Sequence, residues 1–516
     1  MDIKQDIVVQ GQEQDMGLSV GTQAWFSDIE QGSSWLRLQQ KVDKPASSGS
    51  SQSPNDPLNW PSWQRDALLF AVGFCSFLSA ALTPILATGF PEIAEAFDVP
   101  ERRVSLTIGI YMLGIGVGAV FLAPTAALFG RRPGYVAGSI LLIATSAWAA
   151  ASPSFASLLV ARLFQGFASS PGEFLVSVTI SEIYQPQERG FRLGIYMLLL
   201  AAGKSLSPLI GAGVIQRLDW RWVMWISAMA SGLCFASVFT FAKETYWARD
   251  DRKELNPIPR TPGQIYTDDL SISRALRFSQ TLSLYNGRLS DRSWPSLLIK
   301  PITLLKSPPL LWSAAIYSLS LGWLAVLAET IAHLFQSVNG YGFTPIQTGL
   351  LYISPLIGTI LGSVVGGKIS DILACIKAYR NSGIYEPEFR LVMIVPAAVM
   401  SVLGLAGYGA SVEHHTHWII PTVCFGAIYF GCILGSTIAV TYCLDVHRGD
   451  AIGAQVVLSL VKNCHGLAFS LFVVDWLKAV GARDMFFIVA GIHLAFLLMT
   501  IPMFVYGKRI RVGLVR

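Results

Sequence analysis

The stretch ALLFAVGFCSFLSAALTPILA, residues Ala67–Ala87, is a run of 21 residues without a charge. At about 1.5 Å of rise per residue it reaches about 31 Å, the thickness of a bilayer's hydrocarbon core. The first 64 residues before it are polar, with a serine-rich stretch at 47–53. A run this long and this late is not a cleaved leader, and the expectation is a retained first membrane span. Working outward, apolar runs of similar length recur near 104–126, 134–152, 156–179, 193–215 and 222–242. After a polar segment rich in Ser, Arg and Pro they resume near 310–333, 348–367, 391–411, 418–441, 451–474 and 485–506. Six spans, a long linker and six more predict an all-α membrane protein of twelve transmembrane helices in two pseudo-symmetric bundles.

Composition agrees. Of 516 residues, 52% are hydrophobic and 14% charged, against about 25% charged in soluble proteins. Mean hydropathy is +0.50. A soluble enzyme, a nucleic-acid binder and a disordered scaffold are disfavoured. The predicted organisation is a cytoplasmic tail at 1–64, a six-helix bundle at 65–242, a cytoplasmic linker at 243–309, a second bundle at 310–507 and a short tail at 508–516. The linker around Ser271–Leu284 reads as an amphipathic helix or as a solvated tether, with the tether favoured.

Charge placement sets the expected orientation. If both termini and the linker face the cytoplasm, 29 of the 38 Lys and Arg lie on the inner side. Six lie outside: Arg102, Arg103, Arg217, Arg221, Lys478 and Arg483. That skew follows the positive-inside rule. The other three, Arg162, Lys204 and Lys462, fall inside spans. The seven cysteines have neither C-x-x-C nor zinc spacing and read as small buried hydrophobes. No metal and no cofactor is expected. Gly203-Lys204-Ser205 is not a phosphate loop, because Leu198 stands where the leading glycine belongs.

Intramembrane charge carries the functional signal, since an ionisable side chain at mid-bilayer costs at least about 2.5–3.5 kcal/mol and therefore faces a cavity or a partner. Arg162 and Glu173 are 11 residues apart on one predicted helix, a net turn of about 20°, so they share a face about 16 Å apart along the axis. Counting depth from the connecting loop brings Lys204 to the Glu173 level, so a Glu173–Lys204 pair is expected. Lys462 lies at similar depth in the eleventh span. Glu329 and His333, near the outer end of the seventh span, are further candidates. His465 reads as a packing residue. Fixed salt bridges holding helices together are the competing account of these charges. Tyr111, Tyr196, Trp312, Tyr317 and Trp323 offer rings to a planar or cationic substrate, with Tyr317 and Trp323 the preferred pair. Gly203, Gly211 and Gly213 remove bulk from the fifth span and Pro208 frees a carbonyl there, which predicts close packing with a local bend.

A set of short motifs ties these features together. Phe129-Gly130-Arg131-Arg132-Pro133 joins spans two and three. Arg162-x-x-Gln165-Gly166, Pro171-x-Glu173 and Ser207-Pro208-x-x-Gly211 follow. Further along stand Glu188-Arg189-Gly190, Trp220-Arg221-Trp222, Lys243-Glu244-Thr245-Tyr246, Gly366-Gly367-Lys368-Ile369-Ser370-Asp371, Glu386-Pro387-Glu388-Phe389-Arg390-Leu391 and Lys462-Asn463. Asp56-Pro57-Leu58-Asn59-Trp60 precedes the first span. In order and spacing, over about 56 to 510, these resemble the major facilitator superfamily. Within it they are similar to the fungal drug:proton antiporter type, a branch with yeast cation and polyamine importers and many secondary-metabolite exporters.

The resemblance implies a proton-coupled secondary transporter working by alternating access, with export of a small organic molecule favoured over proton-symport uptake of cations or polyamines. It also implies a monomer in a fungal plasma membrane, with a vacuolar or vesicle membrane as the alternative, and assigns proton coupling to Arg162. Small molecule, protons and lipid are the expected partners, and nucleic acid is not. Lys204 beside Glu173 favours an anionic or neutral substrate. The family's loop between spans two and three usually carries an acidic residue where Ala127 stands here, whereas the second half keeps Asp371 after Gly367. An asymmetric gate leaning on Asp371 is therefore expected, with Gly130, Arg131 and Arg132 as its counterpart. A non-transporting sensor is disfavoured by the short tail after the last span, and a membrane enzyme by the lack of a metal or nucleophile constellation.

Overall fold

The computed structural model describes residues 56–184, 186–245, 287–288, 293–337, 340–381, 386–447 and 450–515. The proposed helix at Ser271–Leu284 and most of the N-terminal tail lie outside the described residues. Within them there are helices and no strands. Ten helical runs are long and apolar enough to cross a membrane. Two more, Ser62–Ala81 and Phe155–Ile183, pack among them. Phe155–Ile183 carries Arg162, Gln165 and Glu173, all buried, which dilutes its hydropathy and marks it as an inward-facing helix.

The first half comprises α1 (Ser62–Ala81), α2 (Leu106–Phe129), α3 (Arg132–Ala150), α4 (Phe155–Ile183), α5 (Pro186–Ile215) and α6 (Trp220–Phe241). The second comprises α7 (Pro308–Phe335), α8 (Ile353–Val364), α9 (Ile394–Glu413), α10 (Ile419–Val446), α11 (Ala451–Ser470) and α12 (Ala482–Leu498). Packing repeats between halves. The first helix of each lies on the fourth and fifth, the second on the fourth, and the third on the fourth and sixth. The halves meet along two seams, α2 against α11 and α5 against α8.

Close approach depends on glycine at matching places. A side chain on Gly114 of α2 would run into the backbone of α4 at Leu163 and Gly166. One on Gly358 of α8 would run into Gly426 of α10. Without side chains there the helix backbones touch, which is how helices gain contact in lipid. Gly203 does the same for α5 against α1, at the Phe77 carbonyl, and Gly211 for α5 against the turn that follows α1, at the Ile85 carbonyl. Gly213 has nothing within 4 Å. The Pro208 carbonyl accepts a bond from Thr88 Oγ1 at 3.4 Å. The outer surface exposes Phe70, Met229, Leu233, Val395, Leu403 and Val423, the apolar coat a bilayer covers.

The eighth span is one helical run over Pro345–Ala374 that covers the expected 348–367, with local irregularities. Thr344 and Gln347 form a capping box at Pro345–Leu350, and a π-turn at Val365–Ile369 separates α8 from Ser370–Arg380. A short helix, Trp294–Leu304, lies at the end of the linker region. It touches α2 through Trp294 Nε1, 3.4 Å from Thr125 Oγ1, and holds the start of α11 through the Lys300–Asp450 ion pair.

Candidate functional site: a charged cleft between the halves

Glu173 follows Pro171 and Gly172 in α4. A proline here removes an amide donor and a glycine removes a side chain, so a neighbouring helix can approach. Ser76 of α1 fills the gap, its hydroxyl donating to the Gly172 carbonyl at 2.6 Å. The Glu173 carboxylate is thereby presented to the second half, where Lys462 Nζ of α11 meets Oε1 at 2.5 Å. Ser459 Oγ donates to the same oxygen at 2.9 Å, and Asn463 Nδ2 donates to Ser459 at 3.1 Å. Tyr196 of α5 donates to the Glu173 carbonyl at 2.7 Å. Both charged side chains are at most 5% exposed.

The expected Glu173–Lys204 pair is corrected here. Lys204 makes no ion pair among the described residues. It lines a narrow cleft with Lys462, Asn463, Thr83, Met112 and Tyr429, and a second with Ser436 and Thr437. Depth counting placed Lys204 at the right level but could not say which helix faces Glu173 across the midline.

Arg162 stands apart from the cleft. Its Nη2 donates to the Leu82 carbonyl at 2.7 Å, Nη1 to Gln165 Oε1 at 2.7 Å and Nε to the Thr107 carbonyl at 3.2 Å. The guanidinium lies 4.4 Å from the centre of the Tyr111 ring. It therefore ties α4 to α1 and α2 from behind the cleft wall that Thr83 forms. The shared helical face expected for Arg162 and Glu173 does not become a shared cavity. Tyr317 and Trp323 are buried. Trp323 packs edge-on against His465 and Phe469, at 5.0 and 4.9 Å, and Ser318 Oγ lies 3.1 Å from His465 Nδ1. Neither preferred ring lines the two clefts. Glu329 is buried near the far end of α7, its Oε1 accepting from Ser470 Oγ at 2.5 Å.

The junction motifs form two latches, which corrects the expected asymmetry. Arg131 reaches Glu182 Oε1 with Nε at 3.1 Å and Nη2 at 2.7 Å, and the Ala126 carbonyl with Nη1 at 2.6 Å. The backbone amides of Arg131 and Arg132 donate to the Glu244 carboxylate at 2.9 and 3.2 Å. Gly130 has φ +99°, in the left-handed region, and a Cβ there would collide with Glu244. So the carboxylates missing at Ala127 come from the ends of α4 and α6. In the second half, Arg390 Nη1 meets Asp371 Oδ1 at 2.5 Å and its Nε lies 3.6 Å from Asp445 Oδ2. Glu182 and Asp445 are the penultimate residues of α4 and α10, equivalent positions in the two halves. Gly367 has open space around it.

Sequence reasoning passed over Ser459, Glu182 and Asp445, and named Asn463 and Glu244 as motif residues without a role. The one available signal was spacing, because Ser459 and Lys462 are three apart and share a face of α11.

Outside the spans, burial pushes the His447 imidazole below its ordinary value. It pushes the Glu92 carboxyl up, in the short helix Phe90–Phe97.

A family model described as Major Facilitator Superfamily matches residues 69–472. The MFS-type transporter atr4 of Stereocaulon alpinum is 30% identical over 89% of this chain and 80% of its own length. Protein HOL1 of Saccharomyces cerevisiae is 24% identical over 89% of each. The efflux pump radE of Floropilus chiversii is 24% identical over 89% of this chain and 83% of its own.

Proposed function

The chain belongs to the Major Facilitator Superfamily, a family of membrane transporters rather than enzymes, and from that membership we propose that it is a proton-coupled exporter of a small organic molecule. The observation that carries the reading is the Glu173–Lys462 pair, which joins the halves beside the cleft that Lys204 also lines, Lys204 making no direct ion pair among the described residues. Rocking the halves apart separates that pair. Separation leaves two buried charges unless a proton neutralises Glu173 or an anionic group of the substrate meets Lys462. Proton and substrate thus compete to release one ion pair, which is the logic of exchange. Arg131 with Glu182 and Glu244, and Arg390 with Asp371 and Asp445, act within each half as clamps that keep the moving body rigid. Export is favoured because relatives include a protein named as an efflux pump. Two lysines to one carboxylate in the cleft weigh against a cation as cargo. The 29-to-six skew of basic residues supports a cytoplasmic position for both termini. A monomer in the plasma membrane is the working assignment.

The test uses membrane vesicles and cells. Cells with and without the gene are given a panel of amphipathic toxins and polyamines. Lower accumulation in its presence supports export, and higher accumulation of polyamines supports uptake instead. Flux of the responding compound is then followed in vesicles with and without a pH gradient. Flux indifferent to the gradient, with Glu173→Gln fully active, overturns the coupling scheme.

A further inference from the structure

At the face opposite the termini, a second titratable chain runs inward from the surface. Glu101, in the turn before α2, is partly exposed and places Oε2 2.8 Å from His333 Nδ1 of α7. Glu329 lies one helical turn below His333 on the same face of α7, since i and i+4 are neighbours on a helix. His333 Nε2 and Glu329 Oε2 are both buried without a partner among the described residues. Buried polar atoms are normally bonded, so two orphans one turn apart call for an explanation. The adjacent residue Ala328 lines the cleft that holds Lys204 and Lys462. Glu101, His333 and Glu329 thus follow one another inward from the surface, and Glu329 is next in sequence to a residue of the cleft wall.

The other charged groups around this chain do not neutralise Glu329. Its bonded neighbour on α11 is the Ser470 hydroxyl, and the Ser470 carbonyl accepts from Ser105 Oγ of α2 at 3.2 Å. Arg102 pairs with Asp475 of the short helix Val473–Val480 at 3.2 Å. Glu92, Glu95 and Lys478 stand within electrostatic reach of the surface end at or near Glu101. On α4, Arg162 is directed at Leu82, Thr107 and Gln165. A carboxyl that meets one hydroxyl and no cation suits the neutral acid.

We propose that Glu101, His333 and Glu329 form a proton-entry relay from the face opposite the termini to the central cleft. A proton arriving on Glu101 Oε2 passes to His333 Nδ1. The Nε2 proton of the same ring passes to Glu329 Oε2, directly or through one bridging water, and the imidazole ends neutral in its other tautomer. The charge collected by Glu92, Glu95 and Glu101 concentrates protons at the entrance. The relay rests on the proton-coupled reading above and gives it a direction of entry.

The experiment reads Glu329 directly and needs no substrate. Full-length protein in lipid is followed by infrared difference spectroscopy after an acid jump. The expected result is a buried carboxylic-acid band that is missing in Glu329→Gln, an isosteric change that keeps the Ser470 contact. In His333→Gln the band reaches the same final amplitude but appears about tenfold or more slowly, because a proton carrier has been removed. Glu101→Gln slows it as well. Equal rates in wild type and His333→Gln, or a band that survives Glu329→Gln, overturns the relay. Failure of the coupling scheme shows separately, as vesicle flux indifferent to the pH gradient while the band behaves as described.

Discussion

Glu173 of α4 and Lys462 of α11 stand 289 residues apart in the chain and 2.5 Å apart in space, joining the two halves. Removing one partner leaves a buried charge alone, which costs about 3–5 kcal/mol. Lys462→Met is expected to lower the melting temperature in detergent and to abolish flux. The double variant Glu173→Gln/Lys462→Met recovers most of the stability but none of the pH-driven flux. If the double variant melts as low as the single one, the pair is not what holds this region.

Arg131 uses its fork as well as its charge, with two nitrogens on Glu182 and a third on the Ala126 carbonyl. Lysine has one nitrogen and cannot make all three bonds. Arg131→Lys is expected to destabilise the protein nearly as much as Arg131→Ala, by about 1–3 kcal/mol. Thermal unfolding of the two variants side by side checks it, and a wild-type melting point for the lysine variant counts against the latch geometry.

Two glycines two residues apart on α5 should respond oppositely. Gly211 lies against the Ile85 carbonyl, whereas Gly213 faces open space. Gly211→Ala pushes α5 and the turn that follows α1 apart, at a cost of about 1–3 kcal/mol. Gly213→Ala is neutral or stabilising by up to about 1 kcal/mol, because alanine loses less backbone freedom in a helix. Folded yield and melting temperature of the pair decide it.

His447, just past α10, sits with Nε2 2.9 Å from Ser307 Oγ and Nδ1 3.2 Å from the Cys443 carbonyl. A carbonyl only accepts, so Nδ1 carries the proton and Nε2 accepts from the serine. Burial holds this ring below the ordinary imidazole value. Its contribution is therefore complete above the unfolded value and is lost as pH falls through it toward the folded one. Between about pH 7.5 and about pH 5.5 the wild type should lose more melting temperature than His447→Gln. Parallel pH profiles for the two would show that the ring plays no such part.

Sequence alone reached the helices because lipid imposes the strictest pattern known on a chain. Every span must be apolar and long enough, so Ala67–Ala87 could be read without a partner in view. It also found the charged residues worth watching, since Glu173, Lys204 and Lys462 interrupt that pattern. It missed the partners. Ala127 suggested a latch without a carboxylate, yet Glu182 and Glu244 supply it to Arg131 from 51 and 113 residues further along the chain. Arg162 looked like a cavity residue, but its donors turn to the carbonyls of neighbouring helices.

The sequence by itself determined that this is a helical membrane protein in two halves, and which few side chains carry charge into the apolar interior. Tertiary structure decided which of those side chains meet: Lys462 rather than Lys204 on Glu173, and Arg162 behind the cleft wall rather than within it. The reason is geometric. Helical periodicity fixes a residue's depth and face on its own helix, whereas the facing of two helices depends on glycine contacts and crossing seams formed by residues hundreds of positions apart.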